Sequence, residues 1–322
     1  MTRLFEVRDL NVMLPTRHGP LAVSRDISFS LEEKQILGVA GESGCGKTMT
    51  MLALTGLLPP GSRVSWKKLE LAGRSCDPSC RTDISKMRDK GISYIFQEPG
   101  THLNPLFSIG EQLTETILCN NRGLRAKTAR QEAVRILENV GLRPAGDFLR
   151  RYPHQLSGGM NQRAMIGLAL AADPKLLIAD EPTTALDLLT QRSIIDLVLS
   201  LVRTRGLSVI WVSHDISLME SFADTLAVMY AGRIVESGPA KDMTRHARHP
   251  YTRALIHCLP ERLKEKRFQP IPGHVPALNA ETRGCAFYPR CPFGMPACAQ
   301  AEPLTIETEN SRKIKCFFPQ NT

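Results

Sequence analysis

The sequence contains no apolar run long enough to cross a membrane. Its most apolar stretches, residues 176–179 and 207–212, are much shorter than the roughly 18 to 20 apolar residues that a membrane-spanning helix needs. The first ten residues, MTRLFEVRDL, contain no apolar core of a secretion signal. We therefore expect a cytosolic protein, and any role at a membrane would be peripheral.

The sequence also lacks a helix-turn-helix, a zinc finger and an aromatic RNA-binding motif, although it is basic. It has 41 Lys and Arg residues against 32 Asp and Glu residues, and residues 241–322 hold 13 of the basic and 7 of the acidic ones. Without such a motif, the charge does not favour nucleic-acid binding. It is compatible with a solvated surface, or with docking near anionic lipid headgroups or on a partner.

Proline usage changes along the chain together with the charge. Ten of the 22 prolines lie in residues 241–322, and an alternating apolar pattern stops near residues 238–239. We therefore predict a main domain over residues 1–240 and a C-terminal extension over residues 241–322.

Apolar runs alternate with helical stretches in the main domain. Four runs are apolar on both faces, as strands of a covered parallel sheet are: residues 36–40, 92–96, 176–179 and 207–212. This alternation predicts an α/β fold. Residues from about 98 to 172 indicate a helical subdomain inserted into the sheet domain, with Thr128 and Gln131 as a capping box of one helix. No internal repeat is visible.

Residues 41–48, GESGCGKT, match the phosphate-loop pattern GxxxxGK[ST] between a predicted strand and a predicted helix. Glycines let backbone N–H groups turn toward phosphate oxygens, and the helix start adds its dipole. Lys47 would reach the terminal phosphates, and the Thr48 hydroxyl would bind Mg²⁺. The pattern therefore predicts a polyphosphate site.

Two acidic residues follow the apolar run at 176–179. A buried parallel strand would deliver Asp180 to the sheet edge that binds ligands, where it could hold Mg²⁺. Glu181 could orient and polarise an attacking water. A pair of solvated acids at a strand end is the alternative, and the phosphate loop makes it less favoured.

A second anion-binding helix start is predicted at residues 156–160, LSGGM. Ser157 is suited to an N-cap, and Gly158 and Gly159 leave the first backbone N–H groups accessible. A flexible turn is the alternative. Two phosphate-binding helix starts for one nucleotide suggest that the second serves a nucleotide held by another subunit.

Taken together, these motifs resemble the ATP-binding subunit of an ABC transporter. The loop at 41–48, Gln97 in YIFQEP, the signature at 156–160, the acidic strand, Asp187 in residues 185–187 and His214 in VSHD occur in family order. The resemblance implies a P-loop NTPase fold with an inserted helical subdomain. It also implies these nucleotide contacts: Gly41, Glu42, Ser43, Gly44, Cys45, Gly46, Lys47, Thr48, Met49, Ser157, Gly158, Gly159 and Asp187.

The same resemblance implies the chemistry. Two subunits would pack head to tail, with each ATP between one subunit's phosphate loop and the other's signature. Glu181, His214 and Gln97 would be the catalytic residues, and Mg²⁺ would be held by Thr48, Asp180 and Gln97. Closure of the two subunits on ATP would move the attached membrane subunits, and hydrolysis would reopen the pair.

Other segments resemble the oligopeptide, dipeptide and nickel uptake branch of the family: residues 153–163, 249–252, 271–273 and 284–292. This branch implies a second ATPase subunit in a heterodimer, two transmembrane permease subunits and an external solute-binding protein, at the cytoplasmic face of a bacterial inner membrane.

The sequence departs from the family at the adenine site. No aromatic residue lies between Phe5 and Phe29 to stack on the base, so Leu14, His18 or Leu21 would have to replace it.

Four cysteines of the extension, Cys285, Cys291, Cys298 and Cys316, follow the spacing C-x5-C-x6-C-x17-C. Four thiolates can hold a [4Fe-4S] cluster or Zn²⁺, and reduced free thiols are the third option. Members of the dipeptide branch with this pattern carry a [4Fe-4S] cluster, so the resemblance favours the cluster in a small Pro- and Cys-rich regulatory or metal-binding domain.

The remaining cysteines and most histidines have no motif around them. We interpret Cys45, Cys76, Cys80, Cys119 and Cys258 as ordinary thiols, and His246, His249 and His257 as surface or docking residues.

Two other functions compete with a transporter ATPase. A soluble ABC ATPase acting on ribosomes or nucleic acid would account for the basic tail, although such proteins commonly carry two cassettes or large inserted arms. A nucleotide-binding regulator without turnover is disfavoured by Glu181 and His214.

Overall fold

The computed structural model describes residues 2–77, 84–86, 88, 91–184, 186–258, 270–276, 283–308 and 311–320. The chain forms two compact units, one comprising Met1–Ile84 and Ile210–Thr322 and the other Ser85–Val209. No helix of the described residues is long and apolar enough to span a bilayer.

The elements follow one another along the chain in this order: β1 (Arg3–Thr16), β2 (Gly19–Glu32), β3 (Ile36–Ala40), α1 (Lys47–Thr55), β4 (Arg63–Ser65), β5 (Lys68–Leu71), β6 (Arg74–Ser75), β7 (Ile92–Ile95), α2 (Pro99–His102), α3 (Ile109–Asn120), α4 (Ala126–Asn139), α5 (Ala145–Phe148), a 3₁₀ turn (Pro153–Gln155), α6 (Gly158–Leu170), β8 (Leu176–Asp180), α7 (Leu188–Arg205), β9 (Ser208–Ser213), α8 (Ile216–Glu220), β10 (Thr225–Tyr230), β11 (Arg233–Pro239), α9 (Ala240–Arg245), α10 (Pro250–His257), a 3₁₀ turn (Tyr288–Arg290), α11 (Pro296–Gln300), β12 (Thr305–Glu307) and β13 (Lys313–Lys315).

The first unit contains an antiparallel sheet with the strand order β2-β1-β5-β6, in which β4 also pairs with β1. Its other strands run in the order β12-β13-β11-β10-β3, and β3 pairs in parallel with β10. Every residue of β3 is buried, as expected for a strand covered on both faces.

The described part of the C-terminal extension packs into this first unit. Strand β13 continues the sheet by pairing antiparallel with β11, through Glu236 with Ile314 and Ser237 with Lys313. The limits 1–240 and 241–322 stay a prediction, because a shared sheet does not define where a domain begins.

The second unit contains the parallel pair β7 and β8, and helices α2 to α7 precede, separate and follow these strands along the chain.

All four predicted strand regions are confirmed as strands within one or two residues at each end. The helical subdomain limits of about 98–172 stay a prediction, although helices α2 to α6 fall inside them.

The capping box predicted at Thr128 and Gln131 is wrong. Helix α4 begins at Ala126, with Arg125 as an N-cap that makes no side-chain bond, so Thr128 lies inside the first turn. Ala126 and Lys127 are strong helix formers, which explains why the helix begins before the polar pair. A capping box occurs instead at Ser108 and Glu111 of α3.

Candidate nucleotide site

The phosphate loop connects β3 to α1 and requires glycine at two positions. Gly41 and Gly46 have φ angles of 154° and 102°, which L side chains rarely adopt. A Cβ at Gly41 would lie 2.3 Å from the Met229 carbonyl oxygen, and one at Gly46 would lie 2.3 Å from the Val23 carbonyl oxygen. The loop therefore passes close to neighbouring backbone on both sides, which fixes its shape.

Lys47 is the first residue of α1 and is held inside the loop. Its side chain is buried, and its Nζ donates to the carbonyl oxygens of Gly41 at 2.8 Å and Glu42 at 3.0 Å. The helix N-cap is Gly46, which supplies no side-chain cap. The loop thus presents an ammonium group and a helix start in one place, which is the arrangement that binds phosphate.

The other loop residues differ in exposure. Ser43 and Gly44 are exposed, and Glu42, Thr48 and Met49 are half-buried. Cys45 is buried, and its burial raises the pKa of the thiol. Cys45 therefore stays neutral and belongs to the packing beneath the loop.

Strand β8 delivers Asp180 to its end, as predicted, and all five residues of the strand are buried. Tyr94 of the neighbouring strand β7 donates its hydroxyl to Asp180 Oδ2 at 2.8 Å. Burial and the nearby Asp180 charge raise the pKa of Tyr94, so the phenol stays protonated and remains a donor. Sequence reasoning missed Tyr94, and the only available signal was a phenol in a buried strand, which needs a partner.

Gln97 and Glu181 lie together in the second unit. Gln97 Nε2 donates to Glu181 Oε2 at 3.4 Å, and the Thr184 hydroxyl donates to the same oxygen at 3.0 Å. Glu181 has a φ angle of 45°, in the left-handed region that is unfavourable for a side chain with a Cβ. Such a conformation is often retained where it serves a site.

The predicted signature begins helix α6. Ser157 is the N-cap, as predicted, and its hydroxyl accepts from the Met160 N–H at 3.4 Å. Ser157 and Gly158 are exposed. Gly159 faces α7, and a Cβ there would lie 2.6 Å from Thr190 Cγ2.

Asp187 lies beside the signature as the N-cap of α7. Its carboxylate accepts from the Thr190 N–H at 3.0 Å and from the Thr190 hydroxyl at 2.7 Å. These hydrogen bonds lower the pKa of Asp187, which keeps the carboxylate charged. Ala185 of the same motif lies outside the described residues.

The remaining predicted site residues belong to the first unit. His214 directly follows β9 and is exposed. Leu14 and Leu21 pair across β1 and β2 and are half-buried, and His18 is exposed in the turn that joins these strands. The first unit thus carries residues 41–49 and His214, and the second carries Gln97, Asp180, Glu181, the signature and Asp187.

The four cysteines of the extension come together, although they are far apart in sequence. Cys285, Cys291, Cys298 and Cys316 all line one partly open pocket of about 360 Å³ of empty space. Burial raises the pKa of Cys316 to about 11 and raises those of Cys285 and Cys291. Aromatic residues supply much of the wall: Phe287, Tyr288, Phe293, Phe317 and Phe318.

Among the described residues, the cysteines of this pocket do not form a site for a single metal ion. No group of three or more His, Cys, Asp or Glu side chains in the described ranges could hold such an ion. The metal-binding part of the prediction is therefore not supported by ligand geometry. Among the ordinary thiols, Cys76 is buried, Cys119 is exposed and Cys258 is half-buried, whereas Cys80 lies outside the described residues.

The prediction that His249 lies at the surface is wrong. The residue is 1% exposed and is the N-cap of α10, where its Nδ1 accepts from the Tyr251 N–H at 3.1 Å. Burial lowers the pKa of His249 to about 3, so the ring is neutral and can accept this bond. His246 and His257 are exposed, as predicted.

Two family models match the chain. The ABC transporter model covers residues 24–184, and the model of the oligopeptide/dipeptide transporter C-terminal region covers residues 235–298. The first includes the phosphate loop, the signature and the acidic strand. The second includes three of the four cysteines of the extension.

Curated relatives and solved structures agree with these matches. The chain is 39% identical to the dipeptide transport ATP-binding protein DppD of Escherichia coli K12 over 98% of this chain and 97% of that one. It is 40% identical to the oligopeptide transport ATP-binding protein OppD of the same organism, over 98% and 93%. The dimeric ATP-binding cassette MJ0796 bound to ADP and Pi shares the fold, with a TM-score of 0.65, 24% identity and coverage of 74% and 99%.

These matches support neither the ribosome nor the nucleic-acid alternative. With its phosphate loop, acidic strand and signature all formed, the chain belongs to the ABC transporter family, as an ATPase subunit of the oligopeptide/dipeptide transporter branch.

Proposed function

We propose that this chain hydrolyses ATP to power the import of peptides or related solutes, with dipeptides, longer peptides and nickel chelates as the candidate cargo class. The match to the oligopeptide/dipeptide transporter C-terminal region supports this proposal, as do relatives named for dipeptide and oligopeptide transport. The chain would work at the cytoplasmic face of a bacterial inner membrane. Its partners would be a second ATPase subunit, two permease subunits and an external solute-binding protein.

Nucleotide binding would begin at the phosphate loop. The buried Lys47 ammonium, held by two loop carbonyls, is the observation that carries the proposal. On binding, phosphate oxygens would replace these carbonyls as its partners, while the loop N–H groups of residues 41–49 surround the β- and γ-phosphates. Leu14, His18 or Leu21 would contact the adenine.

Hydrolysis would use the charged groups at the end of β8. Asp180, Thr48 and Gln97 would hold Mg²⁺, which offsets the charge on the β- and γ-phosphates. Glu181 would orient and polarise the attacking water, and Gln97 already donates to its carboxylate. His214 would contact the γ-phosphate. Phosphoryl transfer to water then depends mainly on positioning and charge stabilisation.

The second half of each site would come from the neighbouring subunit. Ser157 and Gly158 are exposed at the start of a 13-residue helix, so their N–H groups are accessible to a phosphate brought by another chain. Asp187 would contact the same nucleotide region. A lone monomer should therefore hydrolyse ATP poorly.

The test is Glu181→Gln, which keeps the size of the side chain and removes its charge. We expect the variant to bind ATP, to stop hydrolysis and to accumulate as an ATP-bound dimer with its partner subunit, seen by size-exclusion chromatography. Unchanged hydrolysis would contradict the role assigned to Glu181. Co-purification with RNA or DNA instead of an integral membrane protein would contradict the transport assignment.

We also propose that the four cysteines of the extension hold a [4Fe-4S] cluster, with Zn²⁺ as the alternative. All four line one pocket with an aromatic wall that would shield the group from water. Structural zinc sites usually contain cysteine pairs about two to four residues apart. The spacing C-x5-C-x6-C-x17-C contains no such pair, so it favours the cluster over zinc. A bound cluster would crosslink the extension and stabilise it.

The cluster is tested by iron and sulfide analysis of anaerobically prepared protein. We expect about four irons and four sulfides per chain, as a [4Fe-4S] group requires. Cys298→Ser should lower the iron content, the sulfide content and the melting temperature. Cys119→Ser, at an exposed thiol outside the pocket, should leave all three unchanged. Zinc without iron would favour the alternative, and the absence of both would leave reduced thiols.

A further inference from the structure

A buried arginine of the extension contacts the phosphate loop. Arg290 ends the 3₁₀ turn Tyr288–Arg290 and directly precedes Cys291 of the cysteine pocket. Its Nη1 donates to Glu42 Oε2 at 2.8 Å, and its Nη2 donates to Glu42 Oε1 at 3.0 Å. Two parallel bonds from a planar guanidinium fix the orientation of the carboxylate as well as its position.

The rest of the guanidinium is bonded within the same unit. Nε donates to the Pro272 carbonyl at 2.7 Å, and Nη1 donates to the Tyr230 hydroxyl at 3.3 Å. The Arg290 side chain is 5% exposed, and that of Glu42 is 28% exposed. Because an unpaired charge in such a buried place is costly, Arg290 and Glu42 are expected to stay together.

Glu42 is also bonded through its backbone. Its N–H donates to the Tyr251 hydroxyl at 2.9 Å, and its carbonyl oxygen accepts from Lys47 Nζ at 3.0 Å. Glu42 therefore connects Arg290 to Lys47: its carboxylate accepts from Arg290, and its carbonyl oxygen accepts from Lys47. A movement of Glu42 would shift the Lys47 ammonium.

An aromatic cluster forms a second connection between the cysteine pocket and the loop. The rings of Tyr230, Tyr251 and Phe287 contact one another with centroids 4.6 to 5.4 Å apart. Phe287 also lines the cysteine pocket. The loop thus contacts the extension through a side-chain ion pair and through the Tyr251 hydroxyl.

We propose that Arg290 is a positioning residue of the nucleotide site, through which the C-terminal extension sets the conformation of the phosphate loop and its affinity for nucleotide. The inference rests on the proposed binding of nucleotide at residues 41–49. It gives the extension a role in ATP binding that does not depend on what the cysteines hold.

The test compares Arg290→Gln, Glu42→Gln and the double variant in the full chain, with the affinity for Mg²⁺–ADP measured by titration calorimetry. Each single variant should bind ADP about tenfold more weakly, since coupling through such a pair is worth about 1.4 kcal/mol. The double variant should bind no more weakly than the single variants, because both changes remove the same interaction. Arg290→Lys should recover only part of the affinity, because it keeps the charge without the two-bond geometry.

Arg312→Gln is the matched control. Arg312 of the extension forms another buried pair, with Glu236 of β11, in which its Nε lies 3.1 Å from Glu236 Oε1. The side-chain hydrogen bonds described for Arg312 go to Glu236 and to the His246 carbonyl oxygen, and none of them goes to the loop. This variant should lower the melting temperature without changing the affinity for ADP. An equal loss of affinity in Arg312→Gln would show a merely structural effect and would overturn the inference.

Other results would contradict either the inference on Arg290 or the proposed function, and the two cases can be told apart. Wild-type affinity in folded Arg290→Gln, or additive losses in the double variant, would overturn the inference. Should Arg290→Gln fail to fold, wild-type affinity in Glu42→Gln would overturn it, because the Glu42 side chain is the more exposed partner. Failure of the wild-type chain to bind ADP would instead contradict the proposed function.

Discussion

The two helix starts that we propose to bind phosphate, at α1 and α6, differ in how complete they are. At α1, Lys47 is buried and bonded to the carbonyls of its own loop. At α6, Ser157 and Gly158 are exposed, and the hydrogen bonds described for Ser157 go to residues of its own helix, Met160 and Asn161. This difference is expected if the first start holds the chain's own nucleotide and the second serves a nucleotide held by another subunit.

Lys47→Ala should have the largest effect, because it removes the buried cation at the complete helix start. We expect ATP hydrolysis to fall by about 10²–10³-fold, the loss typical when one donor to a charged transition state is removed. Nucleotide binding should weaken as well, as measured by calorimetry. Lys241→Ala, at an exposed lysine, is the control. An unchanged affinity for nucleotide in Lys47→Ala would contradict the interpretation of the α1 start as the site that holds the chain's own nucleotide.

Gly158→Asp should separate the two helix starts. A Cβ at Gly158 meets only Leu186 Cδ2, at an ordinary 3.6 Å, so a side chain fits. The added carboxylate suits the dipole of α6 but repels phosphate, so the fold should be kept and hydrolysis should fall about 100-fold. ADP binding by the isolated chain should stay near the wild-type value.

Gly158→Ala is the matched variant, because it adds a Cβ without a charge. We expect it to hydrolyse ATP at close to the wild-type rate. If Gly158→Asp also retained hydrolysis, the second helix start would have no part in the reaction.

Tyr94→Phe should have a smaller effect, on the Mg²⁺ dependence of ATP hydrolysis. The change removes the hydroxyl that donates to Asp180 Oδ2 and keeps the ring. Loss of such a supporting bond should raise the Mg²⁺ concentration needed for half-maximal hydrolysis by about tenfold. ADP binding without Mg²⁺ should not change. An identical Mg²⁺ dependence in both proteins would show that the bond does not orient Asp180.

Glu6→Gln should have the smallest effect on function and a clear effect on stability. Hydrogen bonds from Lys68, then from Arg8 and Arg3, hold the pKa of Glu6 at about 2 against the opposing effect of burial. Because the folded-state pKa is lowered, this stabilisation is present above pH 4.5 and is lost as the pH falls toward 2. The wild type should therefore lose its advantage in melting temperature over Glu6→Gln across that range. A constant difference at every pH would contradict the assignment.

The sequence predicted those parts of the molecule that depend on local pattern. The phosphate loop, the buried strand ending at Asp180 and the N-cap at Ser157 each depend on residues within a few positions of one another. Thr128 was predicted wrongly from a local pattern, because helix propensity at Ala126 and Lys127 moved the helix start.

The contacts that the sequence could not predict join distant positions. Tyr94 and Asp180 are 86 residues apart, and Glu42 and Arg290 are 248 residues apart. His249 lacked any apolar signal of burial, and it became buried because the extension packs against it around Phe287. Such contacts depend on the order of strands in the sheet and on the packing of the C-terminal extension against the first unit. The spacing of residues in the sequence does not encode either of these.

The most direct measurement is an experimental structure of the Glu181→Gln variant with ATP and Mg²⁺, in complex with its partner ATPase subunit. The account predicts that the γ-phosphate near Lys47 of one subunit contacts the signature serine of the other, with Ser157 contacting the nucleotide of the partner. A structure in which Lys47 and Ser157 of the same chain contact the same ATP would contradict it.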